Sequence, residues 1–387
     1  MRVLHTSDWH VGRTFHGHST LEALGTVLDA LTEIVREREV DVVAVAGDVF
    51  DSATPSGDAF GLLGAALRGI RSAGAELVIT SGNHDSPARL GFQSEFAAFG
   101  GVHIITQPAQ HATPVTITGR DGVTVDFYGI PFLEPALIRH LWPDETLRTQ
   151  ADALRFAMRN VHAAAEASDH RSVVLAHCVV AGGAAEASDA ERDITAGGLD
   201  VVPLSTFEGV DYAALGHIHG RATLSDIVRY SGAPLHYSFS EAGKPRGAWL
   251  VELGAHAPAA VEWVPLPVPR GLAVLTGTLD ELLTNEALGA HEDDWVSAVL
   301  TDSTRPIDAM RKLQRRFPHC ANLVHSPVNT ASDNSAGYRE RVGKGVPDDE
   351  LIGSFLSFVR NGEGPSPAES ELIAELVAER TRAEAAR

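Results

Sequence analysis

Five short apolar, β-branched runs in this chain each end in a small cluster of Asp, His or Asn. Val3 to His5 leads into Asp8-Trp9-His10, Val42 to Ala46 into Gly47-Asp48 with Asp51, and Leu77 to Thr80 into Gly82-Asn83-His84-Asp85. Val173 to Ala176 ends at His177, and Tyr212 to Leu215 ends at Gly216-His217-Ile218-His219. Helical patterns fill the intervals. Leu21, Leu24, Leu28, Leu31 and Val35 share one helix face behind a capping box from Ser19 to Glu22, and a second helix spans Ala151 to Glu166. Such alternation predicts an α/β layered fold. The carboxyl ends of parallel strands form the ligand crevice of such sheets, so these clusters are expected to converge despite their separation in sequence.

Taken singly, each cluster is an ordinary turn, cap or satisfied polar contact. Five of them at successive strand ends, all with nitrogen or oxygen donors and no thiolate, are better explained by metal binding. Two divalent ions roughly 3.5 to 4 Å apart need a bridging carboxylate and several terminal ligands. Asp48 is the natural bridge. Mixed imidazole, carboxylate and amide ligation with open positions fits Mn²⁺ better than Fe, Zn or Mg. An ion pair of this kind activates water and neutralises phosphate charge, which predicts phosphoester hydrolysis. His84, next to Asn83, is the candidate proton donor to a leaving group, with Asp85 orienting it; a ligand or purely structural role for His84 stays open.

The rest of the chain bounds the problem differently. Cys178 and Cys320 form no C-x-x-C pair, so both read as reduced, inert thiols. No apolar run approaches the roughly 20 residues of a membrane-spanning helix, and Arg2-Val3-Leu4-His5 enters a strand pattern at once, so a cytoplasmic location is expected. The main domain is expected over 1–264, with Ile227 to Tyr230 and Ala248 to Glu252 as edge or hairpin strands. Pro265, Pro267 and Pro269 read as a rigid connector into a small α/β cap over 265–327. The cap's pattern is strand Ala273 to Leu275, helix Leu279 to Leu283, strand Val296 to Leu300, helix Ile307 to Phe317 and strand Leu323 to His325. A polar linker over 328–346 precedes two helices over 347–387, the first from Asp348 to Val359 and the second opening at Ser366-Pro367. Their apolar faces suit either packing on the cap or docking another protein.

The ordered motifs resemble the calcineurin-like metallophosphoesterase family. That resemblance implies a two-sheet β-sandwich flanked by helices, with a dinuclear site at the strand ends. A narrower resemblance, to the SbcD family of nuclease subunits, is carried by Thr6-Ser7-Asp8-Trp9-His10-Val11-Gly12-Arg13, Gly47-Asp48-Val49-Phe50-Asp51 and Gly82-Asn83-His84-Asp85-Ser86 with Arg89-Leu90. Asp211 to His219, Tyr230 to Leu235 and Tyr237 to Glu241 extend it. The resemblance implies that Asp8, His10, Asp48 and His219 hold one metal and that Asp48, Asn83, His177 and His217 hold the other. It makes His84 the non-ligand catalytic histidine and Asp85 its support. It further implies a Mn²⁺-dependent DNA nuclease, exonucleolytic on duplex ends and endonucleolytic on single strands and hairpins, active in DNA repair and recombination. The partners implied are a second copy of the chain, through Phe60 to Ile70 and Leu90 to Phe99, and an SbcC-like ABC-type ATPase whose coiled coil receives the tail helices. Gly220-Arg221-Ala222-Thr223 and Cys178 depart from the family pattern beside the ligands.

The net charge of −20 opposes a chain that grips DNA by its overall field. Metal cations, a partner's surface and a local rim that includes Arg13 and Arg89 are the expected sources of positive charge. Two rivals remain: a phosphodiesterase for a small nucleotide, sharing the whole metal site, and a scaffold that has lost catalysis.

Overall fold

The computed structural model describes residues 1–181, 201–327, 346–360 and 364–385. The linker expected over 328–346 lies, but for its last residue, outside them. The described residues form two compact units, Met1–Arg270 and Gly271–Arg387.

The first unit is built on two six-stranded sheets. One runs in the order Ala260–Pro265, Gly247–Glu252, Arg2–Thr6, Val42–Ala46, Glu76–Thr80, Val102–Ile105. Its last four strands are mutually parallel and the other two are antiparallel additions. The second runs Ala222–Thr223, Val228–Tyr230, Tyr212–Gly216, Arg171–His177, Thr124–Ile130, Val115–Thr118, with a parallel centre and antiparallel edges. Gly247–Glu252 therefore lies inside its sheet. Of the two expectations, edge or hairpin, it meets the second: Ala260–Pro265 pairs antiparallel with it, from Ala260 opposite Glu252 to Pro265 opposite Gly247.

Strand alternation sorts the side chains into three layers. Val43, Val45, Leu77 and Ile79 face one outer layer, where helices Leu21–Glu37 and Gly57–Ala73 add Leu24, Leu28 and Leu63. Tyr128, Val174 and Ala176 face the opposite outer layer under helix Gln150–Glu166, which adds Leu154 and Phe156. Val42, Ala44, Val78, Phe127, Val173 and Leu175 point inward, between the sheets. Strands covered on both faces have no polar side to display, which is why these runs are apolar throughout. At about 25 cal/mol per Å² of apolar surface removed from water, such burial is the main stabilising contribution. The fold class is the layered α/β sandwich expected.

One polar residue sits within the inner layer. The His5 ring is fully buried, with Nε2 3.1 Å from Leu215 O and Nδ1 3.0 Å from the Tyr212 hydroxyl. A carbonyl only accepts, so Nε2 carries the proton and Nδ1 accepts from Tyr212. Burial holds this imidazole down to about 3, hence neutral. It ties strand Arg2–Thr6 to strand Tyr212–Gly216, two strands whose ends carry expected ligands.

Two local expectations differ. Helix Leu21–Glu37 has Thr20 at its N-cap with no side-chain cap bond, because the Thr20 hydroxyl donates to Arg13 O at 2.7 Å. The Leu90 to Phe99 stretch splits into Pro87–Leu90 and Ser94–Phe99, with Gln93 in the left-handed region between them.

The second unit contains a parallel three-stranded sheet, Leu272–Gly277, Trp295–Leu300 and Cys320–His325, packed on helices Leu279–Thr284 and Ala309–Arg316. Helices Asp348–Val359 and Pro367–Ala385 pack on each other, and Arg360 donates both terminal nitrogens to Glu369 at 2.7 and 2.8 Å. Ser366 caps the second of them: Glu369 N reaches Ser366 Oγ at 3.3 Å, and Ser366 N reaches Glu369 Oε2 at 2.8 Å.

Candidate metal centre

Every cluster singled out in the sequence lies at the carboxyl end of a parallel strand, and the two sheets align those ends. Ala46 pairs with Thr80 in one sheet, and Gly216 with His177 in the other. The chain then turns sharply. Asp8, His10, Asp48 and His217 all have positive φ, at 54, 44, 49 and 101°. Such conformations cost of order 1–3 kcal/mol each for a residue with a side chain and cluster where geometry serves function. Here they turn carboxylates and imidazoles into the crevice.

Donor atoms gather into two knots. In one, His10 Nε2 stands 3.0 Å from His219 Nε2, and Asp8 lies within ligating distance of both. In the other, His177 Nε2 stands 3.3 Å from His217 Nδ1, and Asn83 Oδ1 is 3.1 Å from each of these nitrogens. Asp48 Oδ2 reaches both knots, 3.6 Å from His10 Nε2 and 3.3 Å from His177 Nε2. Facing imidazole nitrogens repel unless a proton or a cation lies between them. Two such pairs, joined by one carboxylate and lacking any thiolate, fit two divalent ions.

The tautomers agree. His177 Nδ1 donates to Ala46 O at 2.9 Å, so its Nε2 faces the knot. Asp8 accepts from the Ser7 hydroxyl and from His217 N at 3.0 Å, which ties the first sheet's loop to the second sheet's.

The charge balance without metal is informative. Burial alone lowers His177, but the Asp48 and Asp8 carboxylates overcome it and hold this imidazole up at about 9. Burial brings His217 down to about 3 and His10 to about 4, so these two are neutral and ready to ligate. A proton on His177 competes with the cation below about 9, so affinity rises with pH through that range and levels above it. Calorimetric titration of Mn²⁺ at pH 7, in buffers of differing ionisation enthalpy, is expected to show about one proton released from this position. A buffer-independent heat would contradict it.

His84 stands beside both knots. Its N–H donates to Asp48 Oδ1 at 2.9 Å, its Nδ1 donates to Asp51 O at 2.9 Å, and its ring lies edge-on to His10 at 5.0 Å. Asp85 does not touch this imidazole. Its carboxylate accepts from Val49 N, Phe50 N and Gly82 N at 3.1, 2.8 and 2.9 Å, which pins the two ligand loops together. Arg13 bonds Asp51 at 3.1 Å with its guanidinium 5.1 Å from the Tyr237 ring, and Arg89 donates to Ala53 O at 2.7 Å. Both line the loop after Asp48. Cys178 is buried and its thiol pushed up to about 12, so it is no ligand.

Glu241 closes one of the motifs that carry the narrower resemblance but was given no role there, and Arg246 was not singled out. Both are buried, 2.5 Å apart, and Glu241 Oε1 lies 3.2 Å from His219 Nδ1. A buried acid beside a histidine-rich centre has no local sequence signal, since the contact spans 22 residues.

A sequence model of the calcineurin-like phosphoesterase family matches residues 1–221. A second, SbcD_C, described as the type 5 capsule protein repressor C-terminal domain, matches residues 268–356. Among solved structures the chain is similar to TT1561 of Thermus thermophilus, at 16% identity over 68% of this chain and 98% of that one, with TM-score 0.39. It is similar to GAP50, the anchor in the inner membrane complex of Plasmodium, at 11% identity over 85% and 98%, with TM-score 0.41. A dimetal phosphatase from Danio rerio gives 13% identity over 69% and 98%, with TM-score 0.41. The family match spans more than half of the sequence and contains the strand-end ligand clusters, so the chain belongs to the calcineurin-like phosphoesterase family and is a hydrolase of phosphoester bonds.

Proposed function

We propose that this hydrolase is a Mn²⁺-dependent DNA nuclease of the SbcD kind, exonucleolytic on duplex ends and endonucleolytic on single strands and hairpins, serving DNA repair and recombination. The observation that carries this reading is the SbcD_C match over 268–356, directly following a phosphoesterase domain. Asp8, His10, Asp48 and His219 would hold one ion, and Asp48, Asn83, His177 and His217 the other. When bound, such ions make water nucleophilic near neutral pH and neutralise charge on the phosphate oxygens.

The protein's own residues supply the remaining chemistry. His84 acts as the imidazolium, giving its Nε2 proton to the leaving oxygen while its Nδ1 proton stays bonded to Asp51 O. Arg13 and Arg89 contribute cationic groups beside the crevice for the phosphodiester backbone. Replacing His84 with Leu is expected to lower kcat by about 10²- to 10⁴-fold while Mn²⁺ affinity and KM stay within about threefold. Steady-state kinetics with a matched metal titration checks this, and unchanged kcat would remove His84 from proton transfer.

Partners follow from exposed apolar surface. On the tail helices Ile352, Phe355, Leu372 and Leu376 remain 37 to 57% exposed although the helices pack on each other, which suits docking on an SbcC-like ABC-type ATPase with a coiled coil. Phe92, Phe96 and Phe99 are 73 to 91% exposed, which suits contact with a second copy of the chain. The ATPase would carry most of the grip on DNA, consistent with this chain's charge of −20. Among the described residues no helix is long and apolar enough to cross a membrane.

The test is cleavage of end-labelled hairpin DNA by the purified chain with Mn²⁺, with and without an SbcC-like ATPase, alongside competition of plasmid DNA against bis-p-nitrophenyl phosphate. Cleavage and competition support the nuclease. Hydrolysis of the small ester with neither cleavage nor competition by DNA would instead favour a small-nucleotide phosphodiesterase.

A further inference from the structure

The two donor knots differ in what stands behind their imidazoles. In the second knot, His177 is backed by a neutral main-chain carbonyl, Ala46 O. In the first, Glu241 Oε1 is hydrogen-bonded to His219 Nδ1 at 3.2 Å, and Asp51 Oδ1 stands 3.4 Å from His10 Nδ1, close but without a hydrogen bond. A carboxylate behind a ligating imidazole fixes the proton on the far nitrogen and makes the near one a stronger donor.

Glu241 is built for this role. The Glu241–Arg246 pair is almost fully buried, and burying an ion pair costs desolvation that mutual attraction offsets only with full hydrogen bonding. Much of that bonding is present and centres on His219. Arg246 Nη2 donates to Glu241 Oε2 at 2.5 Å, Tyr237 N donates to the same oxygen at 2.9 Å, and Arg246 Nη1 donates to His219 O at 2.5 Å. Ring and main chain of one ligand are thus held by one buried pair. A carboxylate facing Nδ1 at this distance holds a proton on Nδ1, which leaves Nε2 as the nitrogen aimed at His10 Nε2.

We propose that Glu241, held by Arg246, is a positioning residue that makes the knot of Asp8, His10 and His219 the tighter of two unequal cation sites. The proposal rests on the two-ion assignment and is independent of the substrate.

Mn²⁺ titration of the full chain, read by calorimetry and by the loss of free-ion paramagnetic signal, is expected to give two distinct dissociation constants. Glu241→Gln is expected to weaken the tighter by about 10- to 100-fold and leave the weaker within about threefold. In a His219→Gln background the same substitution is expected to add nothing. If loss of the carboxylate strands the Arg246 charge and the variant unfolds, Glu241→Gln combined with Arg246→Met removes both charges and takes its place. A separate arm needs neither variant: His10→Gln is expected to remove the tighter constant and His177→Gln the weaker. Equal constants, weakening of both sites by Glu241→Gln, an effect that persists without His219, or the reverse order in the last pair would each overturn the proposal. All these readouts are metal binding alone, so a failure to cleave DNA leaves them unaffected.

Discussion

Asp48→Ala is expected to lower phosphoester hydrolysis by about 10³-fold or more and to reduce Mn²⁺ stoichiometry. The Asp48 carboxylate lies 3.6 and 3.3 Å from one nitrogen of each imidazole pair, and its other oxygen accepts from His84 N at 2.9 Å. Its loss removes the bridge, releases the loop that carries His84, and takes from His177 the stronger of the two carboxylates that hold it protonated. The last effect separates this variant from simple damage to the site. The His177 pKa then falls, with only Asp8 and the Ala46 carbonyl left to oppose burial, so proton release on cation binding is expected to diminish along with most of the affinity. Activity assays, metal counting and the same buffer series check the three parts together. Full stoichiometry with normal proton release would mean that another residue bridges.

The strand ends were legible because each central strand is buried on both faces and so appears as an apolar run that stops where chemistry begins. Strand Thr124–Ile130 was missed for a related reason. Asp126 interrupts its pattern, yet that carboxylate is buried and satisfied by Thr116, Ser168 and His170 at 2.6, 2.7 and 3.1 Å. Gly129 interrupts it as well, and is needed because a Cβ there would stand 2.4 Å from Ile105 Cδ1 of the facing sheet. Adjacency misled at Asp85, which follows His84 in sequence but turns the other way, onto three main-chain N–H groups. Glu241 was visible as the end of a family motif, but its role and that of Arg246 were not: both come from His219, which the fold brings near.

Tertiary approach also overrode local rules at the first helix. Ser19 and Glu22 have the spacing of a capping box, but Thr20 takes the N-cap position and spends its hydroxyl on Arg13 O, so the chain enters the helix from a different angle. The hydrogen bond lost to the helix is recovered by the loop that carries Arg13 toward Asp51. Local propensity is worth a few tenths to one or two kcal/mol at such positions, and a buried loop contact is of the same size.

The same close approach sets the second large expectation, at Gly216. A Cβ on this residue would stand 1.8 Å from Ala46 O and 2.9 Å from His177 Nδ1, two atoms that are themselves hydrogen-bonded at 2.9 Å. No rotamer relieves a clash between a methyl group and main chain, so Gly216→Ala must push the two sheets apart at their metal-bearing ends. We expect a loss of about 3 kcal/mol or more, the upper end of overpacking costs, and a fall in Tm of about 6–12 °C. Cation binding at the His177 side is expected to fail with it, because the Ala46 carbonyl that orients His177 is displaced. Gly61→Ala makes the identical chemical change in helix Gly57–Ala73, where a Cβ meets nothing within 4 Å, and is expected to stabilise by up to about 1 kcal/mol. Differential scanning calorimetry with Mn²⁺ titration compares the two. Opposite signs would locate the requirement in the contact between sheets, whereas similar small shifts would mean that the strand ends open freely and that the two knots do not depend on the register holding them together.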